Sequence, residues 1–248
     1  MLTEPTVDKL KQLSLFAMAE GFIEQQKMTE VHGLDFEERF SLLVDAEWML
    51  RQNRRIERRL KEAKLRLAQA CIEDVDGGRE RGIEKSMVLR LGTCAFLEEK
   101  RNVLITGATG TGKSYLACAL AQQACRKGYR AVYRRASRLY DELAHAKADG
   151  SYGRLLIRFA KIDALVIDDF GHGTMREADR HALLDVLEDR YGNRSTIITS
   201  QLSPDGWHDY IHDPTAADSI CDRVIHNAYR VALKGESRRK EKEKAEKN

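Results

Sequence analysis

Residues 107–114 read Gly107-Ala108-Thr109-Gly110-Thr111-Gly112-Lys113-Ser114, a full match to the phosphate-loop pattern G-x-x-x-x-G-K-[ST]. Glycines let the backbone curl so that its N–H groups point inward at a phosphate, and a helix starting there adds its positive dipole end. Lys113 is then the cation for the β- and γ-phosphates of ATP, and the Ser114 hydroxyl is placed to ligate Mg²⁺. Tyr115 follows directly and completes the nucleotide-binding stretch.

A second chemical signal lies downstream. Leu165-Val166-Ile167 is an apolar run ending in Asp168-Asp169. If both runs are parallel strands, their C-terminal ends meet at one sheet edge, beside the phosphate loop. Asp168 is then the second magnesium ligand, directly or through water. Asp169 is the group that orients or deprotonates the attacking water. A third run, Ser195–Ser200, ends in Gln201, which reaches the γ-phosphate or the water, or else belongs to the turn before Ser203-Pro204. Asp169-Phe170-Gly171 also spells the kinase D-F-G, but no H-R-D loop accompanies it and the glycine loop is of another type.

The elements that must hold these groups are legible as a pattern. Val103–Thr106, Ala131–Tyr133, Ala164–Ile167 and Thr196–Thr199 read as short strands. Between them lie helical stretches after the phosphate loop and at 137–147 and 178–190. Alternation of this kind implies a parallel sheet covered by helices on both faces, an α/β fold. Ahead of it, residues 3–30 and 35–70 have helical periodicity, with Ile56, Leu60, Ala63 and Leu67 on one face. Expected boundaries are a helical domain at 1–70, a glycine-punctuated linker at 71–83, the nucleotide-binding domain at 84–235 and a charged tail at 236–248.

The net charge of the 248-residue chain is only +3, but residues 51–66 hold eight Lys/Arg against two Glu. Arg51, Arg54, Arg55 and Arg58 follow i, i+3, i+4, i+7 on one helix face, flanked by Arg59 and Lys61. Such a stripe can neutralise phosphates of double-stranded DNA without reading bases, or else is a solvated helix face. Arg130, Arg134, Arg135 and Arg138 surround the second strand and offer a further DNA path. Five scattered cysteines with no C-x-x-C pair argue against zinc ribbons and disulfides, and Cys118 and Cys125 suit buried packing. His208 and His212 have metal-ligand spacing but no third ligand. No apolar run approaches the ~20 residues of a membrane span, and the N-terminus lacks signal-peptide zones. The expectation is a cytoplasmic protein.

Taken in order, GATGTGKS, LVIDDFG, STIITSQLS, DRVIHNA and KGESRR resemble the IstB-like insertion-sequence helper ATPases. These are AAA+ proteins of the initiator and helicase-loader group, related to DnaC. The resemblance covers nearly the whole chain. The first two motifs are shared by many ATPases, and the later segments and their order point to this family. It implies an AAA+ domain behind a basic helical domain, and roles for further residues. Gln201 matches the sensor position, where many relatives have Asn. Arg223 resembles the arginine finger that reaches a neighbouring subunit's ATP. Arg239 resembles the second sensor arginine, with Arg238 as its substitute. Asp169 departs from the glutamate of most AAA+ enzymes, as in the helicase-loader group. The implied function is an ATP-dependent homo-oligomer on target DNA that recruits or activates a transposase. A replicative helicase loader would use the same engine with another partner. A small-molecule kinase leaves the basic helix unexplained, and a DNA-binding protein with a degenerate nucleotide site would bind DNA equally with and without ATP.

Overall fold

Glycine and proline are sparse over residues 3–63, and the described residues there are mostly helical. The computed structural model describes residues 3–28, 31 and 33–237, and the chain divides into two compact units between Arg58 and Arg59. The first unit holds α1 (Thr3–Gln12), α2 (Phe16–Gln25) and the larger part of α3 (Phe36–Ala63), which crosses the division. The residue before α2, Leu15, has no capping side chain. Glu47 on α3 does that work instead. Its carboxylate accepts from the N–H of Ala17 at 2.9 Å and of Met18 at 3.4 Å, and from Arg51 Nε at 2.8 Å. Burial works against that charge, but the Arg51 and backbone hydrogen bonds outweigh it and hold the carboxyl below its ordinary range. Gly21 permits the approach of α2 to α3, since a Cβ there would lie 2.9 Å from Leu43 Cδ2. Phe36, Phe40, Val44 and Trp48, spaced by four along α3, all remain exposed, with the first two rings stacked at 5.8 Å.

The second unit is built on a five-stranded sheet of β1 (Asn102–Gly107), β2 (Ala131–Arg135), β3 (Ala164–Phe170), β4 (Ser195–Ser200) and β5 (Ala228–Leu233). The order is β2-β3-β4-β1-β5, and every neighbouring pair is parallel. Successive residues of a strand face opposite sides. Val103 and Ile105 therefore join one core with α4 (Lys85–Gly92), α5 (Ala95–Glu98) and α6 (Lys113–Arg126), while Leu104 joins the other. That second core is filled by α7 (Ala136–Ala148), α8 (Tyr152–Ala160), α9 (Glu177–Arg190), α10 (Trp207–Ile211) and α11 (Pro214–Ile225). Cys118 and Cys125 are buried in the first core, and all five cysteines are free thiols. No helix among the described residues is long and apolar enough to cross a membrane.

Four strands and the helices between them lie where the periodicity predicts. The fifth strand and α8, α10 and α11 are additions. β5 is an edge strand that buries Tyr229, Val231 and Leu233 on one face and exposes Arg230 and Ala232, too short a pattern to stand out. The stretch expected as a linker at 71–83 is tied into the second unit. Ile72 and Ile83 are buried in its core, Gly78 N–H donates to Ile83 O at 2.7 Å, and Lys234 N–H donates to Arg81 O at 2.9 Å. The division between units falls at 58/59, within a helix, rather than at 70. A helix can run through such a division because its backbone hydrogen bonds are internal.

One buried cation organises the edge of the sheet where β4 begins. Arg190 is 1% exposed. Its Nη1 donates to Phe159 O and Ile162 O at 2.5 and 2.8 Å, its Nη2 to Ser195 O at 2.5 Å and its Nε to Thr196 Oγ1 at 3.1 Å. One side chain thereby closes the C-terminal ends of α8 and α9 onto the start of β4. An unsatisfied buried polar group costs about 1–3 kcal/mol. Arg190→Ala orphans several at once, so its urea-unfolding free energy should fall by about 3 kcal/mol or more.

Candidate functional site

β1 ends at Gly107 and α6 begins at Lys113, so the glycine loop spans the step from strand to helix, as the motif requires. Gly107, Gly110 and Gly112 have φ of +145°, +86° and +102°. At Gly107 a Cβ would also lie 2.4 Å from Leu233 O, so β5 leaves no room for a side chain there. Lys113 is 6% exposed, and its Nζ donates to Gly107 O at 2.7 Å and Ala108 O at 2.8 Å. The ammonium thus lies in the mouth of its own loop, on the path a phosphate would take.

The C-terminal end of β3 lies beside this loop. Asp168 is fully buried. Its Oδ1 accepts from Ser114 Oγ at 2.9 Å and Thr199 Oγ1 at 2.5 Å, and its Oδ2 accepts from Tyr133 OH at 2.6 Å. Burial first, and then the bond to Asp168, pushes the Tyr133 phenol well up, so it stays a donor. Adjacent strand residues ordinarily face opposite sides, yet Asp169 stays in the site. The β3–β4 register slips between Ile167 and Phe170, and Asp169 adopts φ +58°. Such a bulge re-aims a side chain. The turned residue donates its N–H to Thr199 Oγ1 at 3.0 Å, and its Oδ2 pairs with Arg135 Nε at 3.0 Å. Arg66 Nη1 lies 3.7 Å from Asp168 Oδ2 and 3.8 Å from Asp169 Oδ2.

The end of β4 closes the other side, where the Thr109 hydroxyl donates to Gln201 Oε1 at 3.0 Å. A cavity of about 980 Å³ opens over the loop, lined by Lys113, Ser114, Asp169 and Gln201 and by the stretch from Arg66 to Ala70. Its size and its mixed charged and apolar lining suit a nucleoside triphosphate. Tyr115 stands at the rim, accepting from Cys71 N–H and donating to Asp74 Oδ2, both at 3.3 Å. Ser114 and Asp168 are hard oxygen donors 2.9 Å apart at the phosphate end, a set that fits magnesium, which takes one or two carboxylates and completes its shell with phosphate and water.

The structure brings together Lys113, Ser114, Asp168, Asp169, Gln201 and the whole loop. Ser237 lies against the loop, since a Cβ at Gly110 would fall 2.2 Å from its Oγ. Arg238 and Arg239 lie outside the described residues. Arg223 is elsewhere. Its carbonyl accepts from Asn102 Nδ2 at 2.9 Å, at the opposite end of β1 from Gly107. At about 3.3 Å per residue, five steps of strand place that backbone roughly 16 Å from the loop's root. The Arg223 guanidinium pairs with Glu188 and donates to Ser219 O at 2.9 Å.

The basic residues separate into groups. Arg55, Arg58 and Lys61 are exposed on α3, and Arg59 is half-buried. Arg51 is tied to Glu47, and Arg54 lies 5.8 Å over the Phe16 ring. Two arginines expected on a DNA path are engaged inside the domain. Arg134 is 11% exposed and pairs with Glu142 at 2.6 Å, and Arg135 serves Asp169. Both end a strand, β2, beside the nucleotide site, and acidic neighbours pair with them there. Arg138, 81% exposed beside Asp141, keeps a solvated guanidinium. His208 pairs with Asp218 at 2.9 Å, and no cluster of three His, Cys, Asp or Glu suited to a metal forms among the described residues. Sequence reasoning missed Tyr133, Thr199 and Arg66. The first two are polar residues inside apolar strands, the one signal that could have found them.

Residues 8–246 match the family described as IstB-like ATP binding protein. An insertion-sequence ATP-binding protein of Sinorhizobium fredii is 45% identical over 240 residues, covering 97% of this chain and 98% of that one. The insertion sequence IS21 ATP-binding protein of Pseudomonas aeruginosa is 32% identical over 243 residues, 98% of this chain and 90% of that one. Among solved structures, the DnaC helicase loader aligns with a TM-score of 0.55 at 20% identity, over 66% of this chain and 97% of that one. AMPPCP-bound DnaA from Aquifex aeolicus aligns with a TM-score of 0.56 at 20% identity, over 73% of this chain and 55% of that one. These two likenesses concern the fold.

Thr199 is the shared partner of both aspartates, accepting from one backbone and donating to the other side chain. Thr199→Val keeps the shape and removes both bonds. A hydrogen bond to a charged group contributes about 1.5–3 kcal/mol, so single-turnover triphosphate hydrolysis should fall about tenfold or more. Affinity for the nucleotide, measured by fluorescence titration, should change little.

Proposed function

Because this chain belongs to the IstB-like ATP-binding family, we propose that it is a magnesium-dependent ATPase that assembles on double-stranded DNA, largely without regard to sequence, and recruits or activates a transposase. The observation that carries the reading is the convergence of the phosphate loop, Ser114–Asp168 and Asp169 at one end of the sheet, under a cavity of nucleotide size. Lys113 exchanges its two loop carbonyls for phosphate oxygens. Ser114 and Asp168 would hold magnesium, which would supply positive charge to the β- and γ-phosphates. Asp169 orients a water, whose oxygen bonds to the γ-phosphorus as the bond to the ADP oxygen breaks. The water's proton passes to Asp169 or to the departing phosphate. Gln201, held by Thr109, faces the same phosphate.

The place of Arg223 supports an oligomer. At the far end of β1 it serves a neighbour's nucleotide rather than its own, and its pair with Glu188 is what a neighbour would replace. ATP bound in the joint between two copies would favour association by mass action. Hydrolysis would remove the charge that Arg223 grips and loosen the joint. Arg239, or Arg238 in its place, would act as the second sensor. Arg55 and Arg58 on α3 bind phosphates of the duplex, and Arg138 adds to them. The exposed row Phe36, Phe40, Val44, Trp48 supplies an apolar surface for a protein partner.

Lys113→Ala should lose ATP binding in a titration. Arg223→Ala should keep monomer ATP affinity but lose hydrolysis and ATP-dependent assembly on DNA. Mixing the two proteins should restore part of the hydrolysis, since one provides the finger and the other the loop. No recovery on mixing would remove Arg223 from the trans role. The DNA-binding face is tested separately. Arg55→Glu with Arg58→Glu should weaken duplex binding about equally for all sequences. The slope of log K against log salt should flatten by about 0.9 for each DNA phosphate that the variant no longer neutralises.

A further inference from the structure

Arg66 lies three residues beyond the end of α3, in the stretch that forms one wall of the nucleotide cavity. The nucleotide-binding pattern does not include it, and the mechanism above does not use it. Its Nη1 stands 3.7 Å from Asp168 Oδ2 and 3.8 Å from Asp169 Oδ2, so one guanidinium spans both carboxylates. Tyr133, whose hydroxyl donates to Asp168 Oδ2 at 2.6 Å, and the two aspartates hold the guanidinium in its charged form. Asp168 is fully buried, while the Arg66 side chain is 44% exposed and borders the cavity. The carboxylates are fixed by their strands, and the arginine is the partner that can move.

Two cations compete when they address the same carboxylate. The oxygen set that suits magnesium is Ser114 and Asp168, and Arg66 brings a full positive charge against the other oxygen of that Asp168. We propose that Arg66 is a positioning residue of the hydrolysis site, a tethered cation that holds Asp168 and Asp169 in place while magnesium is away and yields to it when the nucleotide enters. The inference rests on the ATPase reading and deepens it. Without nucleotide, Arg66 neutralises the carboxylates and weakens their hold on a free divalent ion. With nucleotide, the triphosphate in the same cavity gives the guanidinium another anion to face, and the metal takes its place at Asp168. The site therefore discriminates in favour of the metal–nucleotide complex over the metal alone.

The test uses the full chain without nucleotide and Mn²⁺ as the probe, an ion that accepts the same oxygen donors. Binding is followed by the loss of free-Mn²⁺ electron paramagnetic resonance signal. Removing a unit charge a few Å from the metal, with the guanidinium half-exposed and screened at close to the dielectric of water, should tighten Mn²⁺ by about three- to tenfold in Arg66→Ala. Arg66→Lys should restore the wild-type affinity, and Arg66→Ala combined with Asp168→Asn should lose the gained binding. A purely structural role for Arg66 would not give tighter metal binding rescued by lysine. Arg66→Gln, equally neutral and longer, carries the same expectation should the alanine variant fold poorly by thermal melting. Mn²⁺ affinity in the folded neutral variants that equals or falls below wild type, or no binding at all, overturns the proposal. Failure of the ATPase reading has a different signature, namely full nucleotide affinity in Lys113→Ala.

Discussion

A carboxylate with no exposure to water must be compensated where it stands, and Asp168 sets that condition at the centre of the sheet. Its donors come from three further elements: Ser114 from α6, Tyr133 from β2 and Thr199 from β4. Each must arrive with its hydroxyl at the same height along the sheet. Parallel pairing arranges this, since β2, β3 and β4 run in one direction and their C-terminal ends share an edge. The register places Arg135 opposite Asp168, and Tyr133, two residues earlier, faces the same side as that aspartate's partners. A buried polar network fully satisfied in this way is rigid, whereas removing one member leaves an uncompensated group. The site's geometry and the sheet's order are thus one requirement seen at two scales.

The phosphate loop answers to the same edge. Its glycines are fixed by what presses on them: the backbone of β5 at Gly107 and Ser237 at Gly110. β5 is therefore part of the site although it contributes no chemistry. It is also the strand beside β1 whose return from α11 carries Arg223 to the far end of the sheet. Asn102 joins the pieces there, donating to the carbonyls of Arg223 and Val224 while its Oδ1 accepts from Thr196 N–H at 2.8 Å. The nucleotide edge and the proposed subunit edge are thus the two ends of the same strand, β1. Any tilt of that strand would be felt at both.

The N-terminal unit follows other rules. Glu47 and Gln25 tie α2 to α3, a few apolar side chains are buried, and a row of aromatic and apolar side chains is left in solvent. A unit of this size buries too little surface to be strongly stable alone. Its exposed row is the kind of surface that a partner completes.

The sequence by itself determined the local chemistry. A glycine loop ending in Lys-Ser between an apolar strand and a helix points to phosphate, because phosphate needs inward N–H groups and glycine readily turns the backbone that way. The paired aspartates at the end of an apolar run, and the alternation of strands and helices, follow from periods of two and 3.6 residues that a linear reading can see. Tertiary structure decided whatever depends on register. It turned Asp169 into the site through a bulge, brought in Thr199 and Tyr133, paired Arg135 with Asp169, and folded residues 71–83 into the domain. It also added Arg66, from a stretch that the sequence assigns to a helix face. The reason is physical. A side chain's partner across a sheet or over a cavity is fixed by how strands slide and where the chain returns, and neither is written in the spacing of neighbouring residues.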